Sequence, residues 1–321
     1  MRDVLNLSLP FFGLIGLGFI CGRLMRFPEA QLAWMNFFIV YVALPALFIN
    51  LISVTPFEQL GNWPFIAATT VSTYIAFSLA FLVAMLATRG GLRESTIAGV
   101  SGAYANVGYM GPGLTMAALG PSSTVPTALI FVFDSMLFFA LVPFLMALSG
   151  EEKAGFWATV RLVVTRIVTH PFNIATAIGV GMAYFQALPP APVAKMLSFL
   201  QNAAAPSALF VMGVTIALRP VRRLAPELPA LLAIKLVLHP AIVWVMLSAV
   251  GDFGREWTFT AVLMAALPPA LNAFVMANQY RVYVERASST ILIGTLCSVF
   301  TVTALLYAIA SGLAPYRLFQ N

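Results

Sequence analysis

The chain has 321 residues, 61% of them hydrophobic and only 9% charged. A domain that faces water on all sides carries roughly 25% charged residues, so this composition excludes an ordinary soluble globule. A net charge of +6 and a sequence pI near 9.6 could suggest nucleic acid. In so apolar a chain, excess Lys and Arg reads instead as a topology signal in cytoplasmic loops, and no nucleic-acid partner is expected.

Apolar runs cut by charges and Pro/Gly clusters predict ten membrane-spanning helices, each near the roughly 20 residues that cross a bilayer core. They cover about 4–22, 34–54, 64–87, 95–119, 126–148, 166–186, 196–217, 229–250, 257–280 and 287–311. The first run could imitate a signal peptide. Arg2 beside Asp3, and the lack of a small-x-small cleavage site, make it a span. Gly18 and Gly22 within it are spaced for close helix packing, and Gly179 in the sixth span reads the same way. The longest connector, 149–165, carries Glu151, Glu152, Lys153 and Arg161 and marks the centre of the chain. Cys21 and Cys297 lie in apolar segments without metal-binding spacing and are expected to pack between helices.

Counting Lys and Arg by alternate connectors gives twelve (Arg23, Arg26, Arg89, Arg93, Lys153, Arg161, Arg166, Arg219, Arg222, Arg223, Arg281, Arg286) against four (Arg2, Lys195, Arg255, Arg317). The richer set is expected in the cytoplasm, with both termini periplasmic. Five spans per half would make two related halves inverted with respect to each other, the first at 1–150 and the second at 151–321. A shift of 161 residues lays Pro10 on Pro171, Pro28 on Pro189 and Pro45 on Pro206, and sets "PALF" beside "PSALF". The same shift carries "NVGYMGPG" (106–113) onto "LPPALNAF" (267–274).

Those last two stretches are the most hostile to helix. Gly108, Gly111, Pro112 and Gly113 crowd the fourth span, and Pro268 and Pro269 remove two successive amide donors from the ninth. Broken helix inside a membrane belongs where it is buried in protein or lines a wet cavity. Matched breaks in two halves point to a transporter's binding site, where half-helix N-termini offer amides to an anion and Asn106 and Asn272 can donate or accept. Against this stands the plainer reading that such residues only kink the spans, which applies most to the lone prolines Pro45 and Pro206.

Charged residues inside spans are few. Lys235 and His239, four apart, share a helix face in the eighth span, and Asp134 lies within the fifth. Three readings of Lys235 stand at this point: it snorkels to the cytoplasmic end, it pairs with Asp134, or it or His239 contacts substrate or carries a proton. No GxxxxGK[ST], HExxH or GxSxG motif occurs, so no nucleotide hydrolysis and no enzyme is expected, nor any cofactor or bound metal.

"NFFIVYVALPALFINL", "ANVGYMGPG", "KLVLHP" and "LPPALNAFVMANQY" resemble the auxin efflux carrier family, whose bacterial members are often labelled malonate or malate permeases. The resemblance covers essentially the whole chain. It implies an all-α membrane fold like that of bile-acid symporters and sodium/proton antiporters. There, two inverted five-helix repeats form a scaffold and a transport domain, broken helices four and nine cross, and the protein is a homodimer. Carried over by position, the crossing comprises Asn106, Gly108, Gly111 and Pro112 with Pro268, Pro269 and Asn272. The short central connector lacks the long cytoplasmic loop of the plant hormone exporters, which puts auxin itself in doubt. The implied activity is secondary transport of a small organic anion, a malonate-, malate- or auxin-like mono- or dicarboxylate, across the bacterial inner membrane. Coupling to protons or to sodium stays open. A cation/proton exchanger on the same fold is the alternative, but spans four and nine hold no carboxylate between 95 and 119 or between 257 and 280. A membrane-embedded enzyme or receptor is more remote, for want of a His/Asp/Glu cluster.

Overall fold

Helices that are apolar on every side can bury that surface only against each other and against lipid. The structure, a computed structural model, describes residues 2–25, 28–87, 89, 91–149, 156–218 and 224–319. Among them every regular element is helical, and six helices are long and apolar enough to cross a membrane: Ala30–Ser53, Phe57–Ala87, Pro121–Leu148, Ala191–Leu218, Leu228–Val250 and Val284–Ala310. In chain order the elements are α1 (Arg2–Met25), α2 (Ala30–Ser53), α3 (Trp63–Ala87), α4 (Leu92–Ala103), α5 (Gly111–Leu119), α6 (Thr124–Leu148) and α7 (Phe156–Val168). There follow α8 (Pro171–Phe185), α9 (Ala191–Leu218), α10 (Leu228–Val250), α11 (Gly254–Ala266), α12 (Leu271–Tyr280) and α13 (Val284–Ala310).

The sixth span expected at 166–186 is divided: α7 stops at Val168 and α8 begins at Pro171. Proline pushes its predecessor out of the helical region, and His170 is extended at φ −68°, ψ 127°. Two spans carry a π-helical turn, Phe38–Ala43 in α2 and Ile234–Leu238 in α10. Each stands just ahead of a proline, Pro45 or Pro240, whose ring would otherwise meet a carbonyl of the preceding turn.

The chain forms two compact units, each built from segments of both halves. One comprises Met1–Trp63, Val107–Val132 and Thr169–Pro220. Its frame is α1 against α9, packed backbone to backbone. A Cβ on Gly18 would fall 2.1 Å from the Phe210 carbonyl oxygen, and one on Gly213 2.0 Å from that of Ile15. Gly22 likewise sits against Val214 and Ala217, and Gly179 of α8 against Ile52 of α2. Small residues let membrane helices approach this closely and gain dispersion contacts. Phe48, Phe131 and Phe172 pack in an aromatic cluster with centroids 4.8–6.0 Å apart.

The other unit comprises Pro64–Asn106, Phe133–Val168 and Val221–Asn321. Gly99 and Gly102 let α4 lie close on Phe77 and Ala80 of α3. At the start of α10 the buried Glu227 carboxylate accepts from the Tyr283 hydroxyl and pairs with Arg286 at 3.2 Å. Arg93 donates to the Tyr280 carbonyl at 3.0 Å, tying the start of α4 to the end of α12.

Candidate functional site

Both helix-hostile stretches are interrupted as the sequence implies. α4 ends at Ala103, Tyr104 is extended, and helix resumes at Gly111. α11 ends at Ala266, because Leu267 precedes a proline and adopts φ −60°, ψ 152°; helix resumes at Leu271 after an extended Ala270. Two amides and two carbonyls freed by the breaks satisfy one another. Asn106 N–H donates to the Pro268 carbonyl at 2.9 Å and Ala270 N–H to the Tyr104 carbonyl at 2.9 Å, closing an antiparallel bridge between Ala105 and Pro269. Gly294 of α13 makes room for the bridge, since a Cβ there would meet the Pro269 ring at 2.6 Å.

Asn106, Pro268 and Pro269 are buried at this bridge, and Asn272 stands half-buried in the first turn of α12. The Tyr104 hydroxyl, buried behind them, hydrogen-bonds Ser135 at 3.1 Å and also the Asn272 side chain. The structure therefore brings these four predicted site residues together in one unit. The remaining predicted binding residues belong to the other unit. Gly108 faces Phe131 and Pro112 stands in the first turn of α5 after a buried Gly111. Pro112 lines a small apolar cavity with Leu47, Phe48, Thr115 and Thr127. Pro45 is half-buried behind its π-helical turn, whereas Pro206 is exposed within α9.

Lys235, His239 and Asp134 also converge, within the unit that holds the bridge. Lys235 is 0% exposed, so it does not snorkel. Its ammonium donates to the Ala265 carbonyl, in the last turn of α11, and lies 3.3 Å from His239 Nδ1. The C-terminal turn of a helix carries unpaired carbonyls and a partial negative charge, which a lysine ammonium complements. His239 Nε2 lies 3.2 Å from the Thr73 hydroxyl, and Thr73 hydrogen-bonds the Asp134 carboxylate. An ammonium only donates and a carboxylate only accepts. With Lys235 as an ammonium and Asp134 as a carboxylate, the donors run from Nζ–H to Nδ1, from Nε2–H to Thr73 and from Thr73 O–H towards Asp134. Asp134 Oδ1 has no hydrogen-bond partner although the residue is buried.

Sequence reasoning missed Thr73, Tyr104, Ser135, Gly294 and the Ala265 carbonyl. Serine, threonine and glycine are ordinary in membrane helices, so their one-letter codes carry no signal at these positions.

A family profile described as "Membrane transport protein" matches residues 3–306. The chain belongs to that family. Over 319 residues, 99% of this chain and 100% of the relative, it is 46% identical to a Rhizobium meliloti (strain 1021) protein named "Putative malonate transporter". The transporter is also 27% identical to "Probable auxin efflux carrier component 5c" of Oryza sativa subsp. japonica, with 92% of this chain and 94% of that one aligned. "Auxin efflux carrier component 1" of Arabidopsis thaliana is 34% identical over 127 residues, which is 39% of this chain and 20% of the plant protein. The resemblance read from the break motifs is thereby confirmed: this is a multi-pass membrane transporter related to the auxin efflux carriers.

Proposed function

We propose that this transporter is a secondary carrier of a small mono- or dicarboxylate, malonate-like in the first instance, in the bacterial inner membrane. Its ten spans form two inverted five-helix repeats with both termini periplasmic, and the protein works as a homodimer. The observation that carries this reading is the antiparallel bridge between two interrupted helices, with Asn106 and Asn272 beside it. Ala273 N–H donates to the Ala270 carbonyl at 3.1 Å, and the start of α12 still carries a partial positive charge of roughly +0.5, so an anion is the ligand it favours. The Rhizobium relative's name supplies the substrate class.

Access alternates as the two units move, and the buried Lys235–His239–Thr73–Asp134 chain is the coupling element. Passing one proton along the chain, from the Lys235 ammonium to His239 Nδ1, from His239 Nε2 to Thr73 and from Thr73 to Asp134, reverses each hydrogen bond and leaves lysine and carboxyl both neutral, with the number of protons in the chain unchanged and no side chain leaving the site. That exchange changes the field at the end of α11 beside the carboxylate. A dicarboxylate gains more from the full charge than a monocarboxylate does.

Uptake of radiolabelled malonate, malate and monocarboxylates into proteoliposomes, with proton or sodium gradients applied separately, tests the proposal. Asn106→Ala and Asn272→Ala are expected to weaken binding about tenfold or more, the worth of a hydrogen bond to a charged group, and to leave the protein folded. Normal transport by both variants would place the site elsewhere.

A further inference from the structure

The helix α7 has no part in the site. It runs from Phe156 to Val168. At 1.5 Å per residue it is about 20 Å long, too short for the roughly 30 Å hydrocarbon core. It holds Arg161 and Arg166, which a spanning segment would have to bury at high cost. Yet it is not a water-facing helix either. Trp157, Val164 and Val168, spaced by seven and four residues, share one face and are 78%, 52% and 64% exposed. Arg161, one turn after Trp157, borders that face and is exposed, as are Ala158 and Thr165 on the flank beyond it.

A short helix with an apolar stripe headed by tryptophan and edged by arginine fits the zone between lipid headgroups and acyl chains. Tryptophan rings gather at that depth because one end of the indole is apolar and the other a donor. Arginine forks match phosphate oxygens, and no acidic residue lies between Phe156 and Val168 to neutralise them. We propose that α7 is an in-plane membrane anchor: the Trp157/Val164/Val168 stripe inserts at the headgroup–acyl boundary, and Arg161 at its edge binds anionic phospholipid. The chain leaves one compact unit for the other at Thr169, directly after this helix. The anchor thus fixes to the bilayer plane a point where the two units are covalently joined, and it makes the carrier sensitive to the anionic lipid content of its membrane. This inference is independent of the substrate assignment.

The test uses the full chain with Cys21 and Cys297 changed to Ala and single nitroxide labels at W157C, A158C, V164C or T165C, in nanodiscs. Labels at 157 and 164 are expected to relax preferentially with oxygen, and those at 158 and 165 with a water-soluble nickel chelate. Uniform nickel access would refute the anchor, and a 164 label closed to both reagents would mean that protein covers the stripe. V164C keeps Trp157 in place, so loss of anchoring in W157C alone does not decide the matter. A fluorophore at V164C is then quenched with doxyl-labelled phosphatidylglycerol or phosphatidylcholine at equal content. Each arginine near an anionic surface favours it by up to about fivefold, so severalfold stronger quenching by phosphatidylglycerol is expected. R161Q should bring the ratio near one. Parity with Arg161 present would overturn the headgroup assignment.

Discussion

Replacing Lys235 with methionine keeps the length of the side chain and removes its charge and all its donors. The Ala265 carbonyl and His239 Nδ1 each lose a partner inside a buried cluster, and Asp134 loses the cation whose field it shares. Hydrogen bonds from a charged donor contribute about 1.5–3 kcal/mol each, while the native ammonium's own desolvation costs several kcal/mol and offsets part of the gain. Removing one partner of a buried charged cluster leaves the others uncompensated and costs about 3–5 kcal/mol, so a net loss of about 3 kcal/mol is expected. Lys235→Gln restores one donor to the carbonyl and should lose about half as much. Asp134→Asn in the methionine background removes a carboxylate that no longer has compensation, so part of the loss returns. Reversible unfolding in mixed micelles, run as a double-mutant cycle, reads the interaction directly. Coupling above about 1 kcal/mol is expected from groups joined in one network, whereas independent sites add to within about 0.5 kcal/mol. Additivity would mean that the ammonium and the carboxylate do not act together, and the relay would fail as a coupling element.

Gly294→Ala places a methyl group 2.6 Å from the Pro269 ring; a displaced bridge should cut transport at least tenfold while the protein still inserts and purifies, and wild-type uptake would mean that the bridge tolerates movement. Gly18→Leu drives a side chain into the Phe210 carbonyl, and overpacking of about 1–3 kcal/mol or more should lower the thermal midpoint in detergent by several degrees. Reporter fusions after Arg222 should report cytoplasm and fusions after Asn321 periplasm, following the twelve-to-four distribution of basic residues; a cytoplasmic C-terminus would overturn the span count.

The helical breaks were legible because proline and glycine act on the backbone locally: "LPPA" interrupts a helix in any surroundings. Gly18, Gly22 and Gly179 were legible for a related reason, since a missing Cβ in an apolar span has few uses besides close approach. What those breaks do for one another was not legible. The pairing of Asn106 N–H with the Pro268 carbonyl joins residues 162 positions apart, and backbone groups leave no trace in side-chain identity. Lys235 shows the same limit from another side. Its spacing from His239 follows from the helical repeat, but the choice between snorkelling and burial depends on where α11 ends, which local sequence around Lys235 does not encode. The boundary at Pro171 was open to reading and was missed, because the apolar run continues through it while only the backbone changes direction.

The division of the breaks' polar groups supports the proposed anion carrier over a cation exchanger. Interrupting one helix between α11 and α12 creates a carbonyl-rich end and an amide-rich end. Two amides and two carbonyls are consumed by the bridge, and the carbonyl-rich end of α11 receives the Lys235 ammonium at Ala265. A sodium ion would need those same oxygens, six or so of them in all for a hard cation, and an amine now holds one of the best placed. Among the described residues, no acidic side chain stands in the first turn of α12, which carries the neutral amide of Asn272. Donors therefore exceed acceptors where the helix resumes, and a ligand that only accepts, a carboxylate, restores the balance.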